Sequence, residues 1–265
     1  MDAESKSSTR GAQSLRRALA VLRLVAETQE RGIRLVDLVA GTGLNRPTVH
    51  RMLQVLREEG VVEQDGETRR YRVGAELALL GMARGSRFPI RGVAEPFLYE
   101  LAAKVGDTVF LTIRQGGDSV AIDRVTGNYP IQVLATETGV RRPLGAGVAG
   151  VVILASLPGA EATALAAGNA RRLTRLGLTV AGLQERVEEA RALGYAWAPM
   201  GVVPNTSAVA VPVVDELGKP LAAVTVAAMA DRLSRERLPV VVTALRDTAR
   251  RIARRRSELD GRRAP

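Results

Sequence analysis

No cysteine occurs among the 265 residues, and His50 is the only histidine. Thiolate nucleophiles, disulfides and cysteine-ligated zinc are therefore excluded. A lone histidine without cysteines or clustered carboxylates makes no metal-ligand set, so neither a metal nor any other cofactor is expected. The absence of cysteine fits a reducing compartment. Long apolar runs are also missing, since none approaches the roughly 20 residues that span a bilayer. The opening MDAESKSSTRGAQS lacks the apolar stretch of a signal peptide. These absences predict a soluble, cytoplasmic protein with no membrane partner. Lysine is scarce too, with only three among the 38 basic residues.

Positive charge is present in excess, +10 overall, which points to a polyanionic partner. Its distribution says more than its size. Residues 1–91 hold 16 basic and 11 acidic side chains, residues 92–245 hold 14 of each, and residues 246–265 hold 8 and 3. The middle is balanced and both ends are basic. The length suits two small domains.

Helical spacing begins near Ser14, which can cap a helix whose inward face carries Leu15, Ala18, Leu19, Leu22, Val25 and Ala26. A second helix follows in RLVDLVAGTGL, with Leu35, Leu38 and Val39 inward. A third starts after Asn45, a good cap, with Pro47 in its first turn. Val49, Met52, Leu53 and Leu56 form its buried stripe, and Gly60 ends it. Its other face carries Arg46, Thr48, His50, Arg51, Gln54 and Arg57. VVEQDGETRRYRVG then reads as a β-hairpin turning at Asp65-Gly66, with Arg69, Arg70 and Arg72 on the return. Three helices and a basic hairpin make a winged helix-turn-helix.

In this setting the polar face of the third helix reads as a DNA-reading surface rather than a solvated one. A helix fits the major groove, and Arg offers guanine two hydrogen bonds. Arg46, Thr48, His50, Arg51 and Gln54 are the expected groove contacts, and Arg69 and Arg70 the backbone or minor-groove contacts of the wing. His50 has no nucleophile or orienting carboxylate on its helix face, so a catalytic base is not supported.

AELALLGMARGSR predicts a short helix leading out of this module, and FPIRG marks a boundary near residue 90. Beyond it, a helix over 91–104 precedes a hairpin in TVFLTIRQGGDSVAIDRV and a strand at IQVLA. Helices follow near 146–157, 159–168 and 180–193. Strands at YAWAP, AVAVPVVD and LAAVTVAAM precede a terminal helix over 234–258. Mixed elements of this kind predict an α+β domain around an antiparallel sheet. Residues 145–150, GAGVAG, match G-x-G-x-x-G, but no buried strand precedes them and the next acidic residue, Glu161, comes too soon for a dinucleotide site. Small residues there allow close packing or room for a ligand. The C-terminal RDTARRIARRRSELDGRR reads as a solvated helix end, with an added DNA-phosphate contact as the alternative.

From about Ser14 to Arg256 the chain resembles the IclR family of bacterial transcriptional regulators. QSLRRALAVLRLVAE, LVDLVAGTGLNRPTVHRMLQVLREEGVVEQ and YRVG carry the N-terminal likeness, including Thr48, Val49, His50, Arg51 and Leu53. Gly139, Pro143 and Leu144 fit a C-terminal segment of the family. Gly145 and Val151 stand where a His and a Lys are usual. Trp197, Ala198, Pro199 and Met200 follow Gly194-Tyr195-Ala196 where acidic residues are common, and Ala208 takes a Cys or Ser place.

The resemblance implies a GAF-like α+β effector-binding domain joined to the winged helix-turn-helix by a linker helix. The expected organisation is a tail over 1–13, the DNA-binding domain over 14–74, the linker over 75–90, the effector and oligomerisation domain over 91–258, and a basic tail over 259–265. It also implies a pocket below PLGAGVAG, lined by Leu144, Gly145, Ala146, Gly147, Val148, Trp197, Met200 and Ala208. With so few polar groups, that pocket predicts an apolar or aromatic small-molecule effector. The resulting reading is a repressor on double-stranded operator DNA, acting as a homodimer or tetramer with Leu77, Leu79, Leu80 and Met82 at the dimer contact. A constitutive DNA-binding protein with a vestigial sensor is the alternative, and an enzyme using the 92–258 region a more distant one.

Overall fold

Apolar residues three and four apart build the N-terminal unit. The computed structural model describes residues 12–82, 89–134, 136–201 and 203–261, and the chain divides into two compact units between Arg87 and Phe88. The first contains α1 (Gln13–Glu27), α2 (Leu35–Thr42), α3 (Arg46–Glu58), an antiparallel hairpin of β1 (Val62–Gln64) and β2 (Tyr71–Val73), and α4 (Ala75–Met82). Val21, Val25, Leu38, Val49, Leu53 and Tyr71 meet in its core. The helix-turn-helix and hairpin follow the sequence reading. The far end of the expected linker helix falls on 83–88, outside the described residues.

Three local expectations need correction. Ser14 does not cap α1, which starts at Gln13 after Ala12 and has no side-chain cap. Leu15 and Leu19 are exposed, because the residues of α1 that pack begin at Val21. The wing turn is not a two-residue Asp-Gly loop. It runs from Asp65 to Arg70, closed by the Asp65 amide donating to the Arg70 carbonyl at 2.9 Å. The Asp65 carboxylate organises it by accepting from the Thr68 amide at 2.7 Å and the Thr68 hydroxyl at 2.8 Å. Those bonds hold the Asp65 carboxyl below its ordinary value.

The second unit contains α5 (Pro89–Val105), β3 (Thr108–Gln115), β4 (Asp118–Val125), β5 (Arg141–Pro143), α6 (Val148–Ala155), α7 (Gly159–Gly168), α8 (Ala170–Thr174), α9 (Val180–Leu193), β6 (Ala196–Ala198), β7 (Thr206–Val214), β8 (Pro220–Met229) and α10 (Leu238–Gly261). Its strands form one antiparallel sheet in the order β5-β4-β3-β8-β7-β6. The fold is α+β, as expected. IQVLA is not a strand in its described part. Ile131 and Leu134 are exposed, and the Gln132 side chain binds Thr108, Gly106 and Tyr129, so the segment is a connection held by one amide. The edge strand is β5 instead.

Alternation along the central strands separates two layers. Val109, Leu111, Val209, Val211, Val224 and Val226 face α5 and α10. The opposite face, toward α6 and α9, carries smaller or polar residues such as Ala208, Ala210, Ala223, Thr225 and Ala227.

One buried charge ties the sheet to the chain leading into α10. Asp107 is 1% exposed and accepts hydrogen bonds from Arg232 at 2.8 and 3.3 Å and from Arg237 at 2.7 Å. The bond to Asp107 raises the Arg232 guanidinium above its ordinary value. Arg232 also stacks on Tyr129, 3.6 Å from the ring centroid. Asp107→Asn keeps the shape and removes the charge that both guanidiniums need. We expect it to destabilise this unit by about 2–3 kcal/mol in urea unfolding. A loss below about 0.5 kcal/mol would mean that the cluster contributes little.

Candidate functional site

Two sites emerge, one in each unit. The first is the outer face of α3. Asn45 accepts from the Thr48 amide at 2.9 Å and caps the helix, with Pro47 in the first turn. Gly43, left-handed at φ 66, ends α2 three residues before α3 begins. That short connection sets the second helix beside the first. Val49 and Leu53 are buried, which turns Arg46, His50, Arg51 and Gln54 outward, where all four are exposed, while Thr48 is half-buried. From Arg46 to Gln54 the face runs about 12 Å at 1.5 Å per residue. Among the described residues, none of these four side chains makes a hydrogen bond or ion pair. The face is therefore a row of unspent donors with a net positive charge.

The wing arginines differ from one another. Arg69 is exposed in a left-handed conformation, φ 56, and its side chain has no partner among the described residues. Arg70 donates to the Gly32 carbonyl at 2.9 Å, tying the hairpin to the α1–α2 connection. Arg72 pairs with Asp65 at 3.4 Å.

The second site is a cavity of about 660 Å³ between the sheet and the α6–α9 side. Its volume lies inside the range of about 300–1,000 Å³ usual for small-molecule sites. The small residues of the sheet face leave this room, with Ala121, Ala208 and Ala227 on its floor and Phe110 beside them. Of the residues expected from sequence, Ala146, Gly147, Val148, Trp197, Met200 and Ala208 line it. Leu144 and Gly145 do not. Leu144 is fully buried in the core under α6. Gly145, at φ 97, packs so close to Leu183 that an added Cβ would lie 2.5 Å from it. The GAGVAG segment thus serves close packing at Gly145 and Gly150 and opens onto the cavity between them.

Sequence reasoning missed the polar part of the lining. Six hydroxyl residues reach the cavity (Thr112, Ser119, Thr136, Thr206, Ser207 and Thr225), together with Arg142 and Arg186. Among the described residues, no acidic residue lines it. The Thr225 hydroxyl is buried with no hydrogen-bond partner. Trp197, the only tryptophan in the chain, donates from Nε1 to the Ser207 hydroxyl at 3.0 Å. Thr112, Ser119, Thr206, Ser207 and Thr225 lie on strands, whereas Thr136 lies on the connection before β5. Arg186 was visible only as the residue between Leu183 and Ala190 on the buried stripe of α9.

Comparison with known proteins places both units. Residues 14–66 match the IclR helix-turn-helix domain, and residues 82–254 match the bacterial transcriptional regulator IclR C-terminal domain. The glycerol operon regulatory protein of Streptomyces coelicolor is 34% identical over 248 residues, covering 92% of this chain and 96% of that one. The transcriptional repressor AllR of Klebsiella pneumoniae is 29% identical, covering 94% and 92%. A crystallised transcriptional regulator from Alicyclobacillus acidocaldarius aligns with a TM-score of 0.71 at 25% identity, covering 91% and 98%. These relatives are regulators, and the family is not enzymatic.

The cap geometry makes a direct prediction. Asn45→Ala should cost about 1 kcal/mol of local stability. In hydrogen exchange, the Thr48 amide should lose protection by roughly fivefold while amides of the second unit stay unchanged. Unchanged exchange at Thr48 would show that the cap does not hold α3.

Proposed function

This chain belongs to the IclR family of bacterial transcriptional regulators, and from that premise we propose that it is an operator-binding repressor controlled by a small molecule in the cavity of its second unit. One observation carries the reading: a helix face whose cations and donors have no partner among the described residues occurs in the same chain as a cavity of ligand size. Arg46, Thr48, His50, Arg51 and Gln54 read base edges in the major groove. Arg69 contacts phosphate or the minor groove from the wing. Arg70, already engaged with Gly32, supports the wing's position and contributes only weakly to contact.

The protein acts in the cytoplasm as a symmetric homo-oligomer, a dimer or a tetramer, so that paired recognition helices meet a pseudo-palindromic operator. Leu79 and Leu80, both exposed on α4, offer apolar surface to a second copy. The effector has an apolar or aromatic body, which fits walls made by Phe110, Val148, Trp197 and Met200. It changes operator affinity by binding one arrangement of the oligomer better than the other. The name of the Klebsiella relative, a repressor, supports the sign.

Fluorescence anisotropy on the chain's own upstream DNA, against scrambled DNA across a salt series, tests this assignment. Arg46→Ala should weaken specific binding by about 1–3 kcal/mol and erase the preference. Arg69→Ala should weaken both DNAs and lower the salt slope by about one. Arg70→Ala should change the slope less. Equal binding of both DNAs by the unaltered protein would remove the base-reading assignment. A second prediction concerns occupancy. Because Trp197 is the only tryptophan and lines the cavity, an effector should shift or quench its emission at concentrations that change operator affinity. Operator release with no change at Trp197 would place the effector elsewhere.

A further inference from the structure

Positive charge near the end of α10 is only partly balanced. Arg250, Arg251, Arg254, Arg255 and Arg256 fall within seven residues. Ala249 and Ile252 are buried there, and Arg250, Arg251, Arg254 and Arg255 turn outward, all exposed. Glu100 pairs with Arg251 at 2.7 Å, and Asp260 pairs with Arg256. Arg254 and Arg255 share Glu258, at 3.1 and 3.3 Å. Arg250 forms no hydrogen bond or ion pair among the described residues. Five cations are thus paired with three carboxylates.

Helix stability does not account for the cluster. Cations favour a helix end within its last turn, and the last turn of α10 carries none. Arg250 and Arg254 are like charges four apart, as are Arg251 and Arg255, and such pairs cost helix stability. The pairs on Glu258 are exposed, with the Arg254 side chain 84% accessible, and exposed pairs are weak enough to exchange for another anion.

The cluster also has a definite place in the second unit. Arg237, just before α10, donates to the carbonyl of Val105 at the end of α5. Arg251, further along α10, lies 4.6 Å from the ring centroid of Phe97 and pairs with Glu100 in the middle of α5. The two helices therefore run antiparallel. The C-terminal end of α10 lies at the end of the unit where α5 begins with Pro89, one residue after the chain enters from the first unit.

We propose that Arg250, Arg254 and Arg255 form a second DNA contact, made by the second unit on phosphates that flank the bases read by α3. The partner is a duplex backbone rather than a lipid surface. The exposed side of this stretch holds no apolar residue, which a helix lying in a membrane interface needs. Arg250 to Arg254 rises about 6 Å, comparable with two phosphates of one strand at about 3.4 Å of axis each. The contact adds affinity and no sequence preference. It rests on the reading of the chain as an operator-binding regulator.

Salt-dependent anisotropy of the full-length protein tests it, on the upstream DNA and on scrambled DNA of equal length. A triple variant, Arg250→Gln with Arg254→Gln and Arg255→Gln, removes the charge and keeps good helix formers. Arg251 stays, since it holds Glu100 and Phe97. The slope of log affinity against log salt should become shallower by about two or more on both DNAs, at about 0.9 for each lost phosphate contact. The ratio between the two DNAs should stay the same, which separates this cluster from Arg46. The corresponding Lys triple should keep the slope, because a point charge suffices on phosphate. An unchanged slope in the Gln triple, a Lys triple that behaves like it, or a changed ratio would each overturn the proposal. So would a shallower slope accompanied by a changed oligomer size in gel filtration, which would assign the arginines to assembly. Equal binding of both DNAs by the unaltered protein would remove base reading by α3, and the slope would still decide this contact. No binding to either DNA would overturn both.

Discussion

Side chains of a β-strand alternate between faces, and the second unit depends on how its central strands use that constraint. One face of β3, β7 and β8 is given to valine and leucine, and it seats α5 and α10 on a continuous core. The other face carries mainly alanine and threonine beside Phe110, and leaves space open beneath α6 and α9. The cavity is therefore a consequence of residue size on alternate positions rather than of an inserted loop. Larger residues at Ala121, Ala208 or Ala227 would close it without changing the fold. The Asp107 cluster matters for the same reason. It fastens the start of β3 to the chain that enters α10, so the packed face stays fixed while the other stays open.

The first unit solves a different problem, the exposure of a charged helix face that has no partner among the described residues of the unit. A row containing Arg46, His50 and Arg51 gains nothing from its own neighbours. Its position comes instead from the other side of α3, through Val49 and Leu53, and from the Asn45 cap and the turn at Gly43. Packing and the proposed DNA contacts thus lie on opposite sides of the same thirteen-residue helix. The arginines of the wing divide the same way: Arg70 and Arg72 hold the hairpin, and Arg69 is left over.

Where local chemistry decides, the sequence was legible. The cap and stripe of α3, the hairpin of β3 and β4 and most of the helix bounds could be read from spacing alone. Where tertiary packing decides, reading failed in instructive ways. Apolar residues surround much of α1, so spacing could not show that packing begins only at Val21 and leaves Leu15 exposed. IQVLA has strand-like composition, but Gln132 spends its amide on Thr108, Gly106 and Tyr129 and holds a connection there. In the cavity, the residues near Gly147 follow from the family resemblance of PLGAGVAG and line the wall. Arg142 and Arg186 were missed because each sits in a charged stretch that looks solvated, ERVEEAR in the second case. Leu144 belongs to the PLGAGVAG segment on which the resemblance places the pocket, and its apolar side chain lies in the core under α6.

In the proposed function, operator binding and cavity occupancy fall to different units, coupled through two arrangements of a homo-oligomer. Thermodynamic linkage makes that coupling reciprocal, since a ligand that weakens DNA binding must itself be weakened by DNA to the same factor. The most direct measurement is the affinity of one cavity ligand, read at Trp197, for the free protein and for the protein saturated with operator DNA. The two affinities should differ by about fivefold or more, matched by an equal change in operator affinity when the ligand is saturating. Identical ligand affinities with and without operator would contradict it, and would leave a DNA-binding protein whose cavity does not speak to its recognition helix.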